Sequence, residues 1–164
     1  MSQAIVANQK ASFEHAYGLM RQFIEVCPEH IWVENFGGWP VWQQVYHALT
    51  STQLMALREG EKPEPGLYPP EVAMLDKIPD KAPEKQEMLG YAARMKARID
   101  GYISAMQDSD LPAVNQILTA RMKAHGMRHA FSHSQTLTML AGHILYHLGA
   151  CDAALRKHGL KGVF

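Results

Sequence analysis

Two histidines one helical turn apart, His143 and His147, are the residues of this chain best placed to do chemistry. On an α-helix, side chains four positions apart stand one above the other, with Cβ atoms ~5–6 Å apart. Two imidazoles at that spacing can chelate one divalent ion. The segment that carries them, residues 136–158, has the period of a long amphipathic helix. With His143 at zero and ~100° per residue, His147 falls at about 40°. Met139, Leu140, Ile144, Ala150, Cys151 and Ala154 share that sector, whereas Thr138, Asp152 and Arg156 fall opposite. Both rings therefore point into an apolar interior, where an imidazole needs a partner. That partner is either a metal or, for each ring separately, a backbone or carboxylate group. Two histidines stacked in one apolar stripe are hard to satisfy separately, which favours the metal.

The other reactive side chains divide by position. Cys151 lies four residues beyond His147 on the same face, either as a fourth ligand or as a small buried core residue. His47 sits in the middle of an earlier helix, on a stripe with Gln43, Gln44, Thr50, Ser51 and Leu54. Alone, that placement describes an exposed histidine. A functional His47 requires the stripe to line an internal cleft. Trp42, Tyr46 and Leu57 on one flank, with Val45, Ala48 and Leu49 on the other, leave that possible. His125, His129 and His133 are also four apart, but Gly126 and the surrounding composition describe a loop of solvated histidines, one of which could cover the mouth of a site. His158 stands at a fraying helix end. Gly142 and Gly149 fall on the back of the last helix, where glycine costs ~1 kcal/mol relative to alanine; close helix packing or a subunit contact would offset that. Tyr46 and Tyr146 read as bundle packing before substrate contacts.

Four long helical segments must position these groups. The first spans residues 5–27, with Phe13, Ala16, Met20, Phe23, Ile24 and Cys27 as its apolar stripe and Pro28 as its stop. After an irregular stretch with a Gly37-Gly38 turn, the second spans residues 40–59 and stops at Gly60. A proline-rich connection follows, with a short helix expected at residues 71–78. The third runs over residues 83–107, burying Met88, Ala92, Met95, Ile99, Tyr102 and Met106, and a further helical piece is expected at residues 110–123. Residues 124–134 read as loop, and Ser134 as the cap of the fourth helix. No strand pattern, repeat or low-complexity segment appears. The expected architecture is all-α: a single domain over residues 1–164, a four-helix bundle with long crossover connections and short extra helices.

Composition narrows the partners. Lys plus Arg equal Asp plus Glu at 16 each, so no charge bias points to nucleic acid or an acidic membrane surface. The N-terminal residues do not read as a signal peptide, and no apolar run approaches the ~18 residues of a membrane span. Two cysteines, Cys27 and Cys151, are too few for a disulfide framework and suit a reducing compartment. The expectation is a cytoplasmic protein whose partner is a small molecule, with neither nucleic acid nor membrane involved.

With His47 on the second long helix and His143-x3-His147 on the fourth, the chain resembles the DinB/YfiT-like superfamily. The matching text is GWPVWQQVYHALTSTQ around His47 and TLTMLAGHILYHLGACDAALRKHGL at the C-terminus, including Gly149 and Arg156. By that resemblance, His47, His143 and His147 hold one divalent ion, zinc or nickel, at one end of a bundle with non-consecutive helix order, in a protein that often forms a homodimer. The family's helix-four text usually carries an extra histidine or acidic residue beside the ligands and Gly-Gln after them. Here Tyr146 precedes the second ligand and Gly149-Ala150 follow it.

Three neutral imidazoles would leave a divalent ion charged and with an open position for water or a substrate atom. Two reactions follow: hydrolysis by metal-activated water, and transfer of a low-molecular-weight thiol. No Glu neighbours His143 or His147 to act as base, which favours thiol transfer. The competing class is a non-catalytic, metal-containing binding or stress-associated bundle.

Overall fold

Each of the four long helical periods becomes a helix in the structure, a computed structural model that describes residues 3–164. In chain order the elements begin with α1 (Ala4–Val26), the one-turn α2 (Glu29–Trp32), and a two-residue hairpin of β1 (Asn35–Phe36) and β2 (Trp39–Pro40). Then come α3 (Val41–Met55), the short α4 (Pro70–Ala73), α5 (Lys85–Ser104), a 3-10 turn (Asp108–Asp110), α6 (Gln116–Ala124) and α7 (His133–Lys157). Gly37 and Gly38 turn the hairpin with φ of 70° and 102°, a left-handed pair that side-chain-bearing residues resist.

The four long helices form an all-α bundle. α1 packs on α5 and α7, and α3 packs on the same two helices. Helices consecutive in the chain, α1 with α3 and α5 with α7, therefore stand diagonally. The connections 27–40 and 105–132 cross those diagonals, while 56–84 joins neighbours. The apolar stripes read from the sequence meet in one core: Phe13, Met20, Phe23 and Ile24 of α1, Met88, Met95 and Ile99 of α5, and Leu140, Ile144 and Leu148 of α7 are all fully buried. Burying such a side chain contributes ~1.5–3 kcal/mol. Among the described residues, no helix is long and apolar enough to cross a membrane.

Helix ends account for most differences from the sequence reading. α7 starts earlier, because Ser132 and not Ser134 is its cap: the Ser132 hydroxyl accepts from the Gln135 N–H, and the Gln135 side chain accepts from the Ser132 N–H. His133 is thus in the first turn of a helix rather than in a loop. α3 ends at Met55, short of residue 59, and the helix expected at 71–78 is only the single turn α4. Asp152, assigned to the solvent side of the last helix, is only 4 % exposed. The C-terminal tail folds back over it, so that Asp152 accepts from Arg156 of α7 and from the Val163 N–H.

The polar stripe of α3 is covered by the proline-rich connection. Prolines supply carbonyls without N–H groups, so such a segment cannot satisfy itself by a backbone ladder. α3 provides the missing donors. Gln43 Nε2 donates to the carbonyls of Val72 (3.0 Å) and Lys77 (2.7 Å). Tyr46 Oη donates to the Tyr68 carbonyl and accepts from the Tyr68 N–H, both at 3.1 Å. A Cβ at Gly66 would collide with that hydroxyl, so glycine is required for the close approach. The stripe thereby lines an interior, the condition that a functional His47 needed.

Candidate metal centre

α3 and α7 lie side by side, and their contact brings together residues 96 positions or more apart in the chain: His47 from α3, His143 and His147 from α7. One ligand atom from each histidine lies within 4.8 Å of the other two. Ring centroids are separated by 5.3 Å for His47–His143, 4.6 Å for His47–His147 and 4.7 Å for His143–His147. A metal–nitrogen bond is ~2.0–2.1 Å, so a tetrahedral ion holds its ligand atoms ~3.4 Å from one another. The cluster, whose ligand atoms lie within 4.8 Å of one another, is more open than that and must draw in by side-chain rotation to hold one ion.

Three observations fit this donor set to a divalent ion. His47 Nδ1 donates to the Ala73 carbonyl at 2.7 Å, which fixes the tautomer and leaves the Nε2 lone pair facing away from that bond. Ala73 belongs to α4, so the proline-rich connection orients this ring. Nε2 of His143 is buried and has no hydrogen-bond partner among the described residues, and such a group costs free energy unless something binds it. Burial, with the neighbouring rings adding to it, lowers the pKa of His143 to about 4 and of His147 to about 3; burial also lowers His47. All three rings are therefore neutral at pH 7, the protonation state a metal ligand must have.

The cluster opens onto a cleft of about 390 Å³. His47 and His143 form part of its wall, with Ser51 and Leu54 of α3, Met74 and Asp76 after α4, Arg121 and Met122 of α6, and His125 just beyond it. His147, 8 % exposed, sits behind them. A larger hollow of about 720 Å³ between α1 and α5 contains no histidine and lies away from this chemistry.

The remaining sequence candidates separate clearly. Cys151 is fully buried, its Sγ faces the Val41 carbonyl, and burial pushes its thiol pKa up; it fills core and does not join the three histidines. Of the loop histidines, His125 lines the cleft, as expected of a residue at the mouth. His129 stacks on Phe131 with centroids 4.3 Å apart, and His133 bonds to the Tyr102 hydroxyl at 3.1 Å. His158 pairs with Glu34 across 2.5 Å, tying the end of α7 to the segment before the hairpin. Tyr46 packs as anticipated. Tyr146 does not: it is 77 % exposed, edge-on to the His147 ring. No atom outside the helix backbone lies near Gly142 or Gly149, so helix packing within the chain does not explain these glycines.

Reading the sequence missed Arg121 and Asp76 as cleft residues. Neither has a spacing relation to the histidines, and each reaches the cleft only because a connection folds over the α3–α7 contact. No curated protein and no solved structure matches the chain. The family model described as the DinB superfamily does match, over residues 12–151, a span that takes in all three histidines, the bundle and the cleft; the chain belongs to the DinB superfamily.

Proposed function

We propose that this protein is a metal-dependent enzyme acting on a small molecule, with His47, His143 and His147 as ligands of one zinc or nickel ion. The observation that carries the reading is the buried Nε2 of His143, without a partner among the described residues, inside a cluster of three neutral imidazoles at a ligand-sized cleft. A divalent ion there supplies positive charge and an open position, which lower the pKa of a water or a thiol. The chain's own part is to bring three rings together, to set the tautomer of His47 through the Ala73 carbonyl, to exclude bulk water with Leu54, Met55, Met74 and Met122, and to admit the substrate past His125. Because only three protein ligands converge, the arrangement supports catalysis over a closed structural site.

Thiol transfer is the reaction we favour. No carboxylate belongs to the histidine cluster, and the wall between histidines and solvent is rich in hydrocarbon and thioether groups that suit an alkyl or sulfur-bearing substrate. Hydrolysis is the second reading, and one feature supports it: Asp76 lines the same cleft and offers a carboxylate as general base. We extend the proposal to a homodimer, supported by the exposed Tyr146 and the uncovered Gly142 and Gly149 along one face of α7; light scattering in solution checks it.

Elemental analysis of untagged protein beside its His143→Ala variant tests the metal. One ion per chain, lost in the variant, is the expected result, and a variant that retains the ion sinks the ligand assignment. Assays with thiol donors and with ester and amide substrates then divide the reactions. Hydrolysis abolished in Asp76→Asn would move the second reading to first place.

A further inference from the structure

Two arginines of this chain are half-buried, Arg98 and Arg121, and their surroundings differ. Arg98 is neutralised by Glu61 and by Glu64, the latter at 3.1 Å, and it donates to the Lys62 carbonyl. Arg121, in the last turn of α6, makes no ion pair or hydrogen bond among the described residues. Burial pulls its pKa below the ordinary value, and Asp76, the carboxylate that lines the same cleft, makes no ion pair with it. A guanidinium withdrawn from water without a partner costs free energy, and a bound anion would offset that cost. It borders the same cleft as His47 and His143, with Leu54, Met55, Met74 and Met122 as the apolar surface of that space.

We propose that Arg121 anchors a carboxylate of the substrate, so that the cleft takes a small monoanion with an apolar middle and a reacting group at the three histidines. The inference rests on the metal reading above and adds the substrate class. A guanidinium presents paired N–H donors in a plane that matches a carboxylate. It is the one permanently cationic group among the residues lining this cleft, and Asp76 lines the same cleft, which suits a single negative charge and disfavours a phosphate dianion. Specificity is then divided between two parts of one lining: the histidines select the reacting atom, Arg121 selects the charge.

The test uses cobalt-loaded protein, whose visible absorption reports a thiol reaching the metal, titrated with mercaptohexanoate and with the neutral mercaptohexanol. The acid is expected to bind about tenfold or more tightly than the alcohol in the wild type. In Arg121→Met that preference is expected to vanish while cobalt stoichiometry and mercaptohexanol affinity hold. Arg121→Lys should keep part of the preference, since charge remains and the fork is lost. Equal affinity for the two thiols in cobalt-loaded wild type overturns the anchor and leaves the metal reading standing. A preference that persists in Arg121→Met also overturns it, because the carboxylate would then be held elsewhere. Wild-type protein that takes up no cobalt overturns the metal reading itself, and the anchor with it. The wild-type comparison decides the matter even if Arg121→Met fails to fold, and circular dichroism identifies that case.

Discussion

Two buried polar clusters in this bundle contain histidine, and they are built on opposite logic. At the start of α7, Asn115 accepts from the Leu118 N–H and donates to the Tyr102 and Thr136 hydroxyls, and the Tyr102 hydroxyl also meets His133. Every member has partners within the protein, so the network closes on itself and joins α5, α6 and α7. Ten residues further along the same helix, His143 faces His47 and His147 with a buried nitrogen that no described residue satisfies. The first cluster spends its hydrogen bonds on the fold. The second leaves a nitrogen of His143 free for a bound partner. Histidine count and burial do not distinguish a structural cluster from a binding site; the accounting of donors and acceptors does.

That contrast can be broken most directly by metal content. His147→Ala is expected to lose stoichiometric zinc or nickel entirely, and His133→Ala to keep it, as read by elemental analysis. Equal loss in both variants would erase the distinction. Asn115→Ala should show the reverse pattern, with metal retained but stability reduced by roughly 3 kcal/mol in urea unfolding, since a helix cap is lost and several buried groups are orphaned.

The closed network also predicts an alkaline weakness. Burial raises the Tyr102 pKa to about 12 from its ordinary 10.0, with the hydrogen bonds from Asn115 and Thr136 acting only partly against it. The folded state therefore keeps a proton that the unfolded chain has already released. The stability contributed is fully present below pH 10 and lost as pH rises toward 12. Tyr102→Phe should flatten this decline by roughly 2 kcal/mol relative to wild type. An unchanged slope between the two proteins would remove Tyr102 from the network's energetics.

A smaller effect is expected from the connection that orients His47. Gly66→Ala forces Tyr46 and the loop apart, which should cost roughly 1–2 kcal/mol and weaken metal affinity, because the Ala73 carbonyl moves with the loop. Loss of stability without any change in metal affinity would separate the loop from the site. The smallest change is expected where intuition points to the largest: in metal-free protein, His143→Leu should alter stability by less than about 1 kcal/mol, since it removes an unsatisfied polar group instead of a bond. A large destabilisation there would mean that the cluster is held by something other than a ligand.

The helices, their buried faces and the shared face of the two histidines on α7 are legible in the sequence because each is a local, periodic property. Phe13, Met20, Met95 and Ile144 fall where the helical repeat places them, and the four-residue spacing of His143 and His147 puts both on one face whatever surrounds it. His47 was ambiguous on the same evidence: its stripe of glutamines and hydroxyls looks solvated until a segment that begins beyond the helix end lays its carbonyls on them. The Ser132 cap, the buried Asp152 and the exposed Tyr146 were misplaced for a related reason, since helix ends and tails depend on which neighbouring groups compete for the same hydrogen bonds. Arg121 and Asp76 carried no local signal at all. Local periodicity suffices to place the long helices, their apolar faces, and two imidazoles on one of those faces. The folding of distant segments onto one another brings a third imidazole to them, keeps Cys151 apart, and sets beside the same cleft a guanidinium without a partner among the described residues, because those are contacts that no local period relates.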